Sequence, residues 1–131
     1  MKLLLDTHIW VWAIQNPAKL GRRVRRHLEK TNNEVYLSPV SIWEAHHLQQ
    51  RGRLRSKQGF SQWVEEALRL LPLQEAPFTF PVATTASRIA LPQSDLGDIL
   101  LAATASFFDL TLVTADLQLL GCSWLKTLPN E

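Results

Sequence analysis

The chain is poor in cysteine and has no long apolar run, and each of these absences excludes certain classes of protein. With one cysteine, Cys122, among 131 residues, an internal disulfide and a cluster of thiolate metal ligands are both excluded. A reducing, cytoplasmic location is therefore expected. No apolar stretch approaches the ~18 residues of a transmembrane helix, and Asp6 and His8 interrupt the N-terminal apolar run too early for a signal peptide. The sequence thus predicts no membrane partner.

Glycine is also scarce and scattered. The five glycines lie at positions 21, 52, 59, 97 and 121, so the chain has no glycine-rich phosphate-binding loop. His46 and His47 are adjacent, whereas the helical zinc-hydrolase pattern places two histidines one helical turn apart. The sequence therefore does not favour an enzyme with a glycine-rich phosphate-binding loop, nor a zinc hydrolase.

What is present is an ordinary globular composition, with 46% hydrophobic and 20% charged residues. The length suits one compact domain, so residues 1–131 are predicted to form a single unit. Short apolar runs predict buried strands at 2–5, 34–37 and 110–113, with weaker strands near 73–76 and 123–125. Helices are predicted at 8–15, 18–30, 40–50, 60–71, 81–90 and 96–108, and a loop at 91–94.

Strands separated by helices need crossover connections, which produce parallel pairing with helices on both faces of the sheet. The sequence therefore predicts an α/β fold, a three-layer α/β/α sandwich around a central, mostly parallel sheet. In the helix at 40–50, Val40, Trp43 and His47 form the predicted apolar stripe, which Ile42 and Ala45 widen.

An acid and a hydroxyl follow each of two predicted strands. Asp6 and Thr7 come directly after the first strand, and Thr114 and Asp116 follow the strand at 110–113. Ligands of parallel sheets bind beyond the carboxyl ends of the strands, so these side chains are expected at the functional edge.

Glu44 and Asp98 lie near the starts of two predicted helices and bring the number of candidate acids at this edge to four. Each acid also has an ordinary structural interpretation. Asp6, Asp95 or Asp116 can cap a helix, and Glu44 can be a solvated helix residue. The functional interpretation depends on their convergence, because carboxylates placed together repel one another unless a cation binds them.

Carboxylate oxygens without thiolates or paired histidines suit a hard cation such as Mg²⁺ or Mn²⁺. Six of the 14 basic side chains fall in residues 19–30 and four more in residues 51–57, which favours a polyanionic partner, although a solvated helix face and a basic loop would look the same. Acids that hold a metal ion beside basic patches predict phosphodiester hydrolysis.

Three segments of the chain resemble a known family. The runs LLLDTHIWVW, SPVSIWEAHHLQQRGRL and SDLGDILLAATA, the last followed by LTLVTAD, are similar to the PIN domain and, more narrowly, to the VapC-type toxins of bacterial toxin–antitoxin pairs. The resemblance covers roughly residues 1–120, with the acids in the family's order. It implies cleavage of RNA by a metal-activated water. The implied ligands of the Mg²⁺ or Mn²⁺ ion are Asp6, Glu44, Asp98 and Asp116.

The resemblance also implies roles for neighbouring side chains. Thr114 matches the family's hydroxyl beside the last acid, where it would orient that acid or a water. Asp95 matches an acid that is either an outer ligand or only a helix cap, and the cap is favoured. His8 is either close to the metal or an ordinary packed or surface histidine, and the ordinary interpretation is favoured. Leu96 and Ile99 depart from the family's usual proline and arginine, which puts a polar neighbour of the third acid in doubt.

Two protein partners are implied as well, namely a second copy of the chain in a homodimer and a cognate antitoxin. The antitoxin would lie in a groove formed by the early helices, for which Trp10, Trp12 and the helix at 60–71 are candidates. Core packing is expected for at least one of the two tryptophans.

The leading hypothesis is an endoribonuclease toxin. A non-catalytic RNA-binding or antitoxin-interaction module with the same fold remains an alternative, as does a structure-specific DNA nuclease, because the metal chemistry alone does not choose the sugar.

Overall fold

The computed structural model describes residues 1–91 and 94–131, with a five-stranded sheet through the middle of it. The strands are β1 (Lys2–Leu5), β2 (Glu34–Leu37), β3 (Gln74–Glu75), β4 (Thr111–Thr114) and β5 (Thr127–Pro129), in the spatial order β3-β2-β1-β4-β5. All of these pairings are parallel, as crossover connections require. The predicted parallel sheet is confirmed.

Seven α-helices accompany the sheet in the part of the chain that the structure describes. They are α1 (Thr7–Gln15), α2 (Arg22–Glu29), α3 (Pro39–Gln50), α4 (Phe60–Leu70), α5 (Phe80–Ala86), α6 (Leu96–Phe108) and α7 (Leu117–Leu120). Among the described residues, none of these helices is both long and apolar enough to cross a lipid bilayer.

The central strand β1 divides the core into two halves, because successive strand residues point to opposite faces. Leu3 and Leu5 pack with buried residues of α1 to α4, whereas Leu4 packs with buried residues of α6 and α7. Helix α5 packs against α6 through Val82 and Ala86. Helices therefore cover both faces of the sheet, and the predicted three-layer α/β/α sandwich is confirmed.

Three predicted boundaries are wrong. The helix expected at 81–90 ends at Ala86, because the chain turns at the next two residues. The helix expected at 18–30 is a short 3₁₀ turn at Pro17–Lys19 followed by α2, because Leu20 is extended and Gly21 is the N-cap. The last strand lies at Thr127–Pro129 rather than near 123–125, since it is this segment that pairs with β4. The loop predicted at 91–94 includes positions 92 and 93, which lie outside the described residues.

The apolar stripe predicted for α3 is wrong except at Ala45, since Val40 is only partly buried and Trp43 and His47 are exposed. The buried residues of this helix are Ser41 and Ala45, and Trp43 is 62% exposed. Small side chains face inward because α3 packs against both α1 and α6. This orientation directs Glu44 toward the carboxyl edge of the sheet, where the candidate site lies.

Candidate active site

Asp6 is the acid at the end of the central strand, and its carboxylate is almost entirely buried. Its Oδ1 accepts from the Thr7 backbone N–H at 2.8 Å, and its Oδ2 accepts from the Thr114 hydroxyl at 2.6 Å. The Asp6 N–H donates to the carbonyl oxygen of Val113 at 3.0 Å, which ties the residue to β4. Asp6 also occupies the N-cap position of α1. The Asp6 side chain therefore both caps α1 and contributes to the candidate site.

Glu44 reaches the same edge from α3. The Thr7 hydroxyl donates to its Oε1 at 2.5 Å and lies 2.9 Å from the buried Ser41 hydroxyl. One hydroxyl carries one proton, so Thr7 can donate to Glu44 while it accepts from Ser41. Two buried hydroxyls thus orient the Glu44 carboxylate.

Gly97 makes room for the other side of that carboxylate. A Cβ atom built at Gly97 would lie 2.0 Å from Oε2 of Glu44, which is far inside van der Waals contact. Only glycine at the start of α6 therefore allows the Glu44 carboxylate to lie against the helix backbone.

Asp98 and Asp116 come from the first turn of α6 and the N-cap of α7. Asp95 caps α6 by accepting from the Asp98 N–H at 2.9 Å, so the cap interpretation of Asp95 is confirmed. Asp116 Oδ1 accepts from the N–H groups of Gln118 and Leu119 at 2.9 and 3.1 Å. Both helix starts thus present a carboxylate to the edge of the sheet.

Thr114 connects the two strand-end acids. Its hydroxyl donates to Asp6 and accepts from the Asp116 backbone N–H at 3.0 Å. The predicted hydroxyl at this position therefore orients the Asp6 carboxylate and the Asp116 backbone, and Asp116 receives no direct bond from it to its carboxylate.

All the predicted acids line one open cleft of about 410 Å³. The ionisable side chains on its wall are Asp6, Glu44, Asp95, Asp98, Asp116 and His8. Among the described residues that line this cleft there is no lysine or arginine, and we call it the acid cleft. Its ionised carboxylates therefore give it a negative charge.

Burial, together with neighbouring carboxylates, raises the pKa values of three of these groups. Burial and the charges of Asp95, Asp6, Asp116 and Glu44 raise the pKa of Asp98 to about 7. Burial raises the pKa of Asp6 against the opposing hydrogen bonds from Thr114 and Thr7, and burial also raises the pKa of Glu44. Such shifts mark groups whose ionised form lacks a counter-charge.

The donor set fits a hard divalent cation, since it consists of carboxylate oxygens. Within residues 1–91 and 94–131, no three His, Cys, Asp or Glu side chains are grouped tightly enough to enclose an ion by themselves. Mg²⁺ typically keeps several waters and binds substrate phosphates as well, so a cleft with spaced carboxylates suits it better than a closed cage would.

Two contributors to the site, Ser41 and Gly97, were not predicted. Thr7 was expected at this edge, but its hydrogen bond to Glu44 was not. A signal for Gly97 was available, because a glycine in the first turn of an otherwise strong helical pattern needs a packing reason. The hydroxyl relay through Ser41 and Thr7 depends on how α1 packs against α3, which the sequence does not reveal.

The raised pKa of Asp98 predicts how stability depends on pH without metal. Between its ordinary value of 3.8 and about 7, folding takes up a proton at Asp98, so the free energy of unfolding falls as pH rises through this window. Asp98→Asn removes this dependence. We expect the melting temperature of the variant, relative to wild type in a chelator, to rise by several degrees between about pH 5 and about pH 8.

Asp109→Asn is the matched control for this measurement. Asp109 is fully exposed, and its hydrogen bond and ion pair with Lys126 hold the pKa of its carboxyl below the usual range. It is therefore ionised in both states over the same window, and its difference from wild type should stay constant. A difference between Asp98→Asn and wild type that does not change with pH would contradict the electrostatic account.

Comparisons with known proteins agree with this fold. The PIN domain family matches residues 3–120 of the chain. A similar solved structure is that of VapBC2 from Rickettsia felis bound to a DNA fragment from their promoter, with a TM-score of 0.75 and 22% identity over 100% of both chains. Another is DNA-bound VapBC from Salmonella typhimurium, with a TM-score of 0.74 and 16% identity over 98% of both chains.

A third similar structure is VapBC-5 from Mycobacterium tuberculosis, described as a member of the VapBC family of toxin-antitoxin systems. Its TM-score is 0.61, with 14% identity over 98% of both chains. At these identities the likeness shows the fold alone. No curated protein sequence matches the chain. The family match spans most of the sequence and all of the acids of the cleft, and the chain therefore belongs to the PIN-domain family of nucleases.

Proposed function

We propose that this chain is a Mg²⁺- or Mn²⁺-dependent endoribonuclease that hydrolyses RNA phosphodiester bonds, and that it is the toxin of a type II toxin–antitoxin pair. The observation that carries the proposal is the acid cleft, where the carboxylates of Asp6, Glu44, Asp98 and Asp116 face one another without a lysine or arginine on the wall. Membership of a nuclease family supports the same chemistry.

In this proposal those four carboxylates hold the cation. A bound divalent cation would lower the pKa of a water and polarise a phosphoryl oxygen, and it would offset the repulsion that raises the pKa of Asp98. The remaining work belongs to the protein. Thr114 and the Thr7 N–H fix both oxygens of Asp6, and the hydroxyls of Thr7 and Ser41 fix Glu44. Their bonds keep the ligands in place before an ion arrives, which reduces the cost of binding it.

The first test of this proposed function is the substitution Asp6→Asn. Asp6→Asn removes the anionic charge while its amide oxygen can still accept a hydrogen bond, so we expect the fold to be retained. Cleavage of single-stranded RNA in Mg²⁺ or Mn²⁺ should fall by at least about a hundredfold, because a metal contributes several kcal/mol to this reaction. The measurement is the cleavage rate of labelled RNA, with DNA of equal sequence in parallel.

Asp109→Asn serves as the control again, since it removes one exposed carboxylate at the C-terminal end of α6, opposite to the end that carries Asp98, and should leave the rate unchanged. If Asp6→Asn cleaved as fast as wild type, the proposed mechanism would be wrong. Equal cleavage of DNA and RNA would overturn the assignment to RNA.

A second test of this proposed function is the substitution Gly97→Ala. In Gly97→Ala the new methyl group displaces the Glu44 carboxylate, which sits at the flexible end of its side chain. We therefore expect the melting temperature to change little, while RNA cleavage or Mn²⁺ affinity falls about 10- to 100-fold, as is typical when a ligand loses its positioning. The measurements are thermal unfolding, cleavage rate and calorimetric titration with Mn²⁺.

Gly59→Ala is the matched control, because a Cβ atom at Gly59 would meet no heavy atom within 4 Å. It should leave activity and metal affinity unchanged. Wild-type activity in Gly97→Ala would mean that Glu44 need not lie against α6.

A cognate antitoxin is the proposed protein partner. The solved relatives include members of the VapBC toxin-antitoxin family, which supports this proposal. Trp10 is completely buried, so this candidate for the docking surface is wrong. The exposed leucines of α4 remain candidates. Leu70 lines a groove between α1, α2 and α4, and Leu68 lines a different groove beside α3. An adjacent reading frame for a small DNA-binding protein would support the pairing, and its absence would count against it.

We also propose a homodimer. Large apolar side chains are exposed next to three of the acids, namely Trp43 before Glu44, Leu96 before Asp98 and Leu117 after Asp116, with Leu117 84% exposed. Apolar residues of this size at one edge favour contact with another protein surface. Light scattering of the purified chain tests this, since a monomer at all concentrations would contradict it. The cytoplasmic location stays a prediction.

A further inference from the structure

A second cleft, of about 500 Å³, adjoins the acid cleft, and the two share His8 and Trp12 on their walls. We call it the basic cleft, because its lining includes Lys19, Arg53 and Arg55 and no aspartate or glutamate. The two basic segments noted in the sequence, 19–30 and 51–57, thus each contribute to one site. An acidic cavity and a basic cavity meet at one aromatic ring.

The three cations have no carboxylate partner among the residues that the structure describes. All three side chains are exposed, and the ion pairs found in residues 1–91 and 94–131 join other residues. Their positive charge is therefore available to an anion from outside the chain.

The loop that carries two of these cations is held in place. Gly52, with φ +73°, turns the chain after α3, and the N–H groups of Arg53 and Leu54 donate to the Leu48 carbonyl at 2.8 and 3.2 Å. Leu54 is 2% exposed and anchors the loop in the core, while Arg53 and Arg55 on either side of it line the cleft. The side chain of Gln15 donates to the Arg55 carbonyl at 2.7 Å and ties the loop to α1.

Trp12 stands at the junction of the clefts. Its ring is half-buried, with its edge against the core and part of it open to both cavities. The Lys19 ammonium lies 5.5 Å from the ring centroid, and the His8 ring lies 5.8 Å away. An aromatic face next to unpaired cations is the arrangement with which proteins bind single-stranded nucleic acid, by stacking bases and contacting phosphates.

We propose that the basic cleft is a subsite for the single-stranded RNA that flanks the cut. A base stacks on Trp12, and the adjoining phosphates contact Lys19, Arg53 and Arg55, while the bond to be cleaved lies in the acid cleft. This inference rests on the proposed nuclease function. It explains how a site lined by carboxylates retains a polyanion, since the affinity comes from the neighbouring cavity.

The test is equilibrium binding of a short labelled single-stranded RNA in a chelator, so that cleavage does not occur. Arg53→Ala with Arg55→Ala should weaken binding at least about tenfold at moderate salt. The slope of log affinity against log salt should fall by roughly 1.4, since each single-strand phosphate contact contributes about 0.7. Arg51→Ala with Lys57→Ala is the matched control, because it removes the same number of positive charges from the same segment outside the cleft, and it should leave the slope unchanged.

The role of Trp12 is tested by a pair of variants. Trp12→Leu keeps apolar volume but loses the aromatic face, and it should weaken RNA binding about 5- to 150-fold, the range for loss of one stacked base. Trp12→Phe keeps a ring and should restore most of the affinity, which a purely structural role would not require.

A small phosphodiester separates this inference from the proposed function. The arginine variants should hydrolyse bis(p-nitrophenyl) phosphate at the wild-type rate in Mn²⁺, because this substrate is too short to reach the basic cleft. If Asp6→Asn lost cleavage while the cleft variants bound and cut RNA like wild type, the subsite would be overturned and the nuclease would stand. If RNA binding required the basic cleft but the wild-type protein did not cleave RNA, the proposed nuclease function would be overturned instead. Normal RNA binding combined with lost binding of a protein partner would assign the cleft to that partner.

Discussion

The buried carboxylate of Asp6 at the end of the central strand is the constraint on which the rest of the site depends. A charge taken out of water there needs compensation, and the chain supplies it with hydrogen-bond donors from two elements, the Thr7 N–H of α1 and the Thr114 hydroxyl of β4. The same donors fix the starts of α1 and the turn before α7. What they do not supply is a positive charge, so the repulsion between the acids persists, and burial together with this repulsion raises the pKa of Asp98 to about 7. The cleft is stable enough to fold and still favours a cation.

In the proposed function, the two oppositely charged clefts have different roles in one site. In the proposed function the acid cleft holds metal and the reacting phosphate, and carboxylates alone would repel the rest of the RNA. The cations that attract it are therefore kept on the far side of Trp12, in the basic cleft, where they leave the charge balance of the metal ligands undisturbed. A lysine or arginine placed inside the acid cleft would pair with the carboxylates and compete with the ion.

The parts of the fold predicted from sequence are those that local patterns determine. The strands β1 and β4 are continuous apolar runs because helices cover both of their faces, and each run ends in the acid that serves the site. The orientation of α3 was not predictable in this way. Its largest apolar residue, Trp43, points to solvent, because close packing against α1 and α6 requires the small residues Ser41 and Ala45. The same holds for Gly97 and for the basic cleft, since both depend on contacts between segments far apart in the chain, such as the bond from Gln15 to Arg55.

The central claim is that the acid cleft holds a divalent cation through the carboxylates that the strands and helix starts bring together. The most direct test is a crystal structure of the chain soaked in Mn²⁺, with the anomalous signal of the metal recorded. The account predicts one or two Mn²⁺ peaks in the acid cleft, at about 2.0–2.2 Å from oxygens of Asp6 and at least one of Glu44, Asp98 and Asp116. Crystals that are free of contacts at the cleft and contain Mn²⁺ at other positions but none at these carboxylates would contradict it.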